Sequence, residues 1–307
     1  MKSSIAKIFA LTLPVLFLVS LTACGAKSGA NSGGSASTSQ TIRIGSKDFT
    51  ENLIVAELYA LALEDNGYRV DRKFNLASSA VHTIIVNNDI DLYPEYTGTG
   101  LLAVLKHDLV TNPDEVYNIV KEEYKKQFNL VWLPYASAND GQGLVITKKA
   151  SDEYGIKTIS DLQRHVDLLR FASQGEFDLR DDGIPALEAK YGRFNWRSSR
   201  VYDNSLKYSV LENDEADVAP AYTTEGALTD PGFVLLIDDK EVWPPYNLAP
   251  VVRGEILDAN PVIAGILAVV NNALTTEAIT ALNARVDLEL EEYEDVAKDF
   301  YASVKKL

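Results

Sequence analysis

The sequence predicts an α/β protein of two lobes, with the chain returning to the first lobe at its end. Three observations carry that prediction. Strand-like and helix-like patterns alternate over residues 41–93, a second run of the same kind spans about 140–242, and one more strand pattern follows Pro244-Pro245. Alternating β-α-β units imply a mostly parallel sheet covered by helices.

Thr41-Ile-Arg-Ile-Gly-Ser46 alternates at period two, as a half-buried strand does. Thr50 is placed to cap a helix reaching about Asn66, with Leu53, Ile54, Leu58, Leu61 and Ala62 at helical spacing. Asn66-Gly67 stops it, and Tyr68 to Phe74 gives the next strand. Val81, Ile84 and Ile85 share a helix face, Ile90 to Tyr93 is a short strand, and Asp114 to Phe128 is a helix. Strands are predicted at Leu130–Leu133, Leu144–Thr147, Leu168–Ala172, Val218–Ala221 and Ala249–Arg253. Helices are predicted at Ile184–Tyr191, Ser205–Glu212, Pro261–Asn271, Glu277–Val286 and Glu292–Val304.

Composition narrows the function. The chain has 307 residues, a net charge of −15 and a single cysteine. That balance speaks against nucleic acid and against loose adhesion to anionic lipid, both of which need a basic face. The first forty residues read differently from the rest. Lys2 and Lys7 precede an apolar run from Ile8 to Leu21, which ends in Leu21-Thr22-Ala23-Cys24. This is the pattern of a lipoprotein signal (1–23), with Cys24 as the lipidated residue and 24–40 as a Gly/Ser/Ala tether. The protein is then expected to be lipid-anchored on the extracytoplasmic face of a bacterial membrane.

Enzyme signatures do not emerge. His82, His107 and His165 lack zinc-site spacing, and neither a nucleophile elbow nor a phosphate-binding loop is present. No cofactor, metal or catalytic residue is expected. Aromatics are more informative, since fifteen tyrosines outnumber ten phenylalanines. Tyr93, Tyr96, Tyr135, Tyr202, Tyr222 and Tyr246 fall near strand ends or in loops, where open α/β sheets bind ligands. Their ring faces can attract a quaternary ammonium, which has no hydrogen bond to give. The alternative is that each is a packing residue with its hydroxyl in water.

Ile44-Gly-Ser-Lys-Asp-Phe-Thr-Glu51 and Ile90-Asp-Leu-Tyr-Pro-Glu-Tyr-Thr-Gly-Thr-Gly100 closely resemble stretches of the substrate-binding proteins of osmoprotectant ABC importers, the binders of glycine betaine, choline and carnitine. The likeness continues through Trp132-Leu-Pro134, Tyr154 to Leu162, Ala221-Tyr-Thr-Thr-Glu-Gly226 and Pro244-Pro-Tyr-Asn-Leu-Ala-Pro-Val-Val-Arg253. It implies the bilobed periplasmic-binding-protein fold of type II, hinged around a ligand cleft. Lobe I is then expected at 41–140 and 244–307, and lobe II at 141–243. The resemblance also implies a monomer that delivers a quaternary amine to an ABC permease.

By the same resemblance Tyr96, Tyr222 and Tyr246 take cage positions. Thr99, Lys47, Asp140 and Arg180 match positions that touch the ligand, hold its carboxylate or latch the lobes. Asn52 stands where relatives often carry a glutamine that reaches the ligand, and Tyr202 and Tyr135 are further candidates. Where relatives have an aromatic wall, this chain has Asn139-Asp-Gly-Gln142, so an amide replaces a ring. Ala77-Ser78-Ser79 and Thr224-Glu225-Gly226 are further departures. They leave open a different betaine, such as ergothioneine, or a polar amino acid.

Overall fold

The computed structural model describes residues 41–203 and 206–305; the signal, Cys24 and the tether lie outside them. In chain order the strands are β1 (Thr41–Lys47), β2 (Arg69–Leu76), β3 (Leu92–Tyr96), β4 (Leu130–Trp132), β5 (Gln142–Thr147), β6 (Arg170–Ser173), β7 (Ser198–Val201), β8 (Val218–Tyr222), β9 (Phe233–Leu235) and β10 (Leu248–Arg253). They form two sheets, ordered β2-β1-β3-β10-β4 and β7-β6-β8-β5-β9. Both are mixed. β1 runs parallel to β2 and β3, while β10 is antiparallel to β3 and β4. In the second sheet β6 is parallel to β7 and β8, and β5 is antiparallel to β8 and β9.

The helix Thr50–Asp65 shows why the first lobe holds. Ile54, Val55, Leu58, Tyr59, Ala62 and Leu63 are all buried, which places apolar surface on more than one face. It packs between its own sheet and the helices Val262–Asn271, Thr276–Asp287 and Tyr293–Val304, so it is a core helix. Thr50 does not cap it. Phe49 is the extended N-cap residue, and the Thr50 hydroxyl instead donates to Asp287 Oδ1 at 2.6 Å. Gly67, at φ +85°, ends the helix in a conformation that disfavours side chains.

β3 starts at Leu92 and runs to Tyr96, shifted from the predicted Ile90–Tyr93. Asp91 explains the start, since its carboxylate accepts the Arg43 backbone N–H at 2.9 Å and the Arg43 Nε at 3.0 Å. The shift moves Tyr93 into mid-strand, where it is core. β7 and β9 carry no sequence pattern that predicts them: every residue of β7 is exposed at a sheet edge, and β9 has three residues. The predicted strand Leu168–Ala172 begins at Arg170, because Val166–Leu168 coils into a 3-10 turn.

Two segments, 133–141 and 236–247, carry the chain between the sheets. They run antiparallel, bridged at Asn139 and Asn247. Asn247 Nδ2 donates to the carbonyls of Ala136 and Ala138, both at 3.3 Å, and Asn139 Oδ1 accepts the Tyr246 N–H at 2.6 Å. Polar side chains thus saturate the backbone of a two-stranded crossing.

Candidate ligand-binding site where the two sheets meet

Strand ends converge at that crossing. β1 ends at Lys47, β3 at Tyr96 and β8 at Tyr222, while β5 starts at Gln142. Tyr96 pairs with Leu248 across β3–β10, two residues after Tyr246, and Gln142 pairs with Tyr222 across β5–β8. Tyr246 also lies against Gly98, where a Cβ would come within 2.7 Å of its ring. The three expected cage tyrosines, 150 residues apart in number at the extremes, all lie at strand ends or on the connecting segment at this crossing.

Around Tyr246 a polar wall forms. Gln142 Nε2 donates to Asp182 Oδ2 at 2.6 Å and to the Tyr246 hydroxyl at 3.3 Å, and that hydroxyl donates to Asp182 at 3.4 Å. Arg180 clasps the same carboxylate through Nε at 2.8 Å and Nη2 at 2.6 Å. Burial alone would raise the Asp182 carboxyl, but the Arg180 guanidinium outweighs it and holds the group below the usual carboxylate range. Trp243 Nε1 anchors the Asp182 carbonyl at 2.6 Å. Sequence reading missed Asp182, whose signal was its place two residues after Arg180.

Tyr96 sits in a second cluster. Its hydroxyl donates to Glu51 Oε1 at 3.0 Å. Asn283 Nδ2 reaches Glu51 Oε2 at 3.3 Å and the Thr224 carbonyl at 2.8 Å, and the Thr224 hydroxyl donates to Asp140 Oδ1 at 2.7 Å. Removal from water raises both carboxyls, Asp140 strongly, and the Glu51 charge pushes Asp140 up further. Glu51, Thr224 and Asn283 were not among the site residues expected from the sequence. The first two sit inside the matching stretches, and only the fold shows that they meet.

Lys47 and Asn52 differ from expectation. Lys47 is 4% exposed and ion-paired with Glu95, whose other oxygen accepts the Tyr93 hydroxyl at 3.1 Å. Its ammonium lies 5.0 Å from the centre of the Tyr96 ring, so it backs that ring as an internal cation. Asn52, fully buried, accepts the Lys47 N–H at 2.6 Å and donates to the Pro94 carbonyl at 3.0 Å. Both ends of the amide tie β1 to β3, and Nδ2 also lies 3.5 Å from the Tyr96 hydroxyl, so Asn52 supports that tyrosine.

Tyr222 is 36% exposed, and the Lys207 ammonium, buried and paired with Glu225, lies 5.7 Å from its ring. Thr99 is half-buried in the turn after β3, where its neighbour Thr97 bonds the crossing strand through Asn247 N and the Pro245 carbonyl, each at 3.0 Å. Tyr135 is not part of the group: it packs with Tyr117 at 5.1 Å and donates to Asp114. It therefore does not restore the wall replaced by Gln142. Tyr202 packs against the apolar cluster of Val145, Ala172 and Ala219 in the second lobe.

Residues 40–303 match the family described as the substrate binding domain of ABC-type glycine betaine transport system. The chain belongs to that family. It is 33% identical over 271 residues to a glycine-betaine-binding protein of Pseudomonas aeruginosa, covering 85% of this chain and 87% of that protein. It is 30% identical over 259 residues to the ergothioneine transport permease/ergothioneine binding protein EgtU of Helicobacter pylori, covering 84% of this chain and 46% of that longer protein. A solved glycine betaine/carnitine/choline ABC transporter protein superposes with a TM-score of 0.78 at 25% identity, over 85% of this chain and 98% of that one. Apo YehZ from Escherichia coli superposes at 0.70 with 27% identity, over 86% and 98%. The fold is thus the bilobed periplasmic-binding-protein fold. This member of the family is an extracytoplasmic substrate-binding component of an ABC importer, which works with a permease on a small ligand and is not an enzyme.

Proposed function

We propose that the chain captures a quaternary ammonium compound such as choline, glycine betaine or carnitine between Tyr96, Tyr222 and Tyr246, and delivers it to its permease. The convergence of these three tyrosines at the crossing of the two lobes supports this reading best. A trimethylammonium is weakly hydrated, so ring faces replace its water readily, and each desolvated ring contributes about 0.5–2 kcal/mol. Three rings supply a few kcal/mol, while a micromolar dissociation constant needs about 8. Apolar burial and polar contacts to the rest of the ligand make up the difference. We place lobe I at 41–140 and 244–307 and lobe II at 141–243, so that a ligand touching Tyr96 and Tyr222 bridges both and favours closure. We also propose that Cys24 carries the lipid anchor and that the protein acts as a monomer.

A second reading keeps the role and changes the cargo. The relative from Helicobacter pylori is named for ergothioneine, and the Gln142–Asp182 wall offers polar partners to a betaine with ring donors. Calorimetric titration of the full chain in detergent against choline, glycine betaine, carnitine, ergothioneine and a neutral amino acid decides between them. Tight binding of a simple quaternary amine supports the first reading. Ergothioneine alone supports the second, and silence from every quaternary amine defeats both.

A further inference from the structure

The cations of the site are already matched by anions. Lys47 is paired with Glu95, Arg180 with Asp182 and Lys207 with Glu225. Arg180 turns its Nε and Nη2 edge onto Asp182, and Lys47 is covered by protein. None of the three brings an unmatched positive charge to a ligand carboxylate, although the sequence pointed to Lys47 and Arg180 for that task.

Two acids have no direct ion-pair partner among the described residues, and Lys47, committed to Glu95, acts on both only at longer range. Glu51, 3% exposed, and Asp140 are linked by the Thr224 hydroxyl on one side and by the Asn283 amide on the other. The donors they receive, from Tyr96, Thr224 and Asn283, are all neutral. A further acceptor lies in the same place. Asn283 is 4% exposed, and with its Nδ2 committed to Glu51 and Thr224, its Oδ1 is buried beside the acids without a donor. A buried acceptor left unpaired is costly, by about 1–3 kcal/mol, and its demand is for a donor.

From this geometry we propose that the cleft selects its ligand by charge: Glu51, Asp140 and Asn283 favour an organic cation that carries a hydrogen-bond donor and no carboxylate, a quaternary amino alcohol rather than a zwitterionic betaine. The inference rests on the quaternary-amine reading above and narrows it. A ligand carboxylate placed here would be a third acid beside two whose ionisation already opposes each other, in a setting where charges are poorly screened. A bound cation favours the ionised form of both acids, so that Asp140 releases its proton to solvent as the cation binds, and the ligand hydroxyl supplies a donor. Tyr96 joins the two halves of the site, since its ring belongs to the cage and its hydroxyl to Glu51.

The test is calorimetry on the full chain with choline, glycine betaine and tetramethylammonium, for the wild type, Asp140→Asn and Glu51→Gln. The expected result is choline bound at least tenfold more tightly than glycine betaine, with that ratio falling at least tenfold in either variant. Two variants are used so that a folding defect in one leaves the other to report. Glycine betaine bound as tightly as choline by the wild type, or a ratio unchanged in the variants, overturns charge selection. If tetramethylammonium still binds in that case, the aromatic cage survives the loss of this proposal. If none of the three ligands binds, the quaternary-amine reading falls and takes the proposal with it.

Discussion

Gly98 and Tyr246 meet face to face: a Cβ on Gly98 would lie 2.7 Å from one ring carbon of Tyr246 and 2.8 Å from the next. The glycine is there so that a ring from the crossing strand can lie flat on the turn after β3. Gly98→Ala is expected to displace the Tyr246 ring, costing about 1–3 kcal/mol of stability as overpacking does. Ligand affinity should fall at least tenfold with it. Thermal unfolding and titration of one preparation check both effects, and an alanine variant with unchanged affinity would remove Tyr246 from the cage.

Lys47 and Glu95 give a prediction of the opposite kind. Breaking a buried ion pair by removing one partner costs about 3–5 kcal/mol, because the other charge stays buried alone. Lys47→Met should therefore lower stability by that order, and adding Glu95→Gln should restore most of it. A Lys47 that served chiefly as a ligand contact would instead show weaker binding with an unchanged melting temperature.

Asp140 makes stability depend on pH. Its folded pKa is raised by removal from water and by Glu51, so the folded state holds a proton that the unfolded state releases. The stability this contributes is complete below the ordinary carboxylate range and is lost as pH rises toward the folded value. Lys47 acts in the other direction and Glu225 in the same one. Asp140→Asn is expected to be more stable than the wild type at pH 8, with the gap shrinking at pH 5. Equal melting temperatures at both pH values would show that Asp140 is not held neutral.

The three tyrosines should separate by burial. Tyr222, the most exposed, should lose about tenfold in affinity on replacement by alanine with little change in stability. Tyr96 and Tyr246 are buried, and their alanine variants should lose both, since large aromatic truncations in cores cost about 3–5 kcal/mol. Two of the three variants binding as the wild type does would rule out the cage.

Much of the fold was legible because it is local. The helices over Asp114–Phe128, Ile184–Tyr191 and Glu292–Val304 were readable to within a residue, as 3.6-residue periodicity and stop signals act within one segment. β7 escaped notice because an exposed edge strand needs no apolar alternation, and Thr50 was misread as a cap because a distant acid claims its hydroxyl.

The sequence by itself determined the α/β alternation, the absence of enzyme motifs, the acidic charge and the tyrosines near strand ends. Only the tertiary structure decided how the charges are shared. Whether a lysine greets a ligand or a neighbouring acid depends on which strand lies beside it, and strand order is set by contacts across the whole chain. Lys47 met Glu95, 48 residues away, while Glu51 and Asp140 were joined through Thr224 and Asn283. That pairing, invisible in the order of residues, fixes the electrostatic character of the cleft.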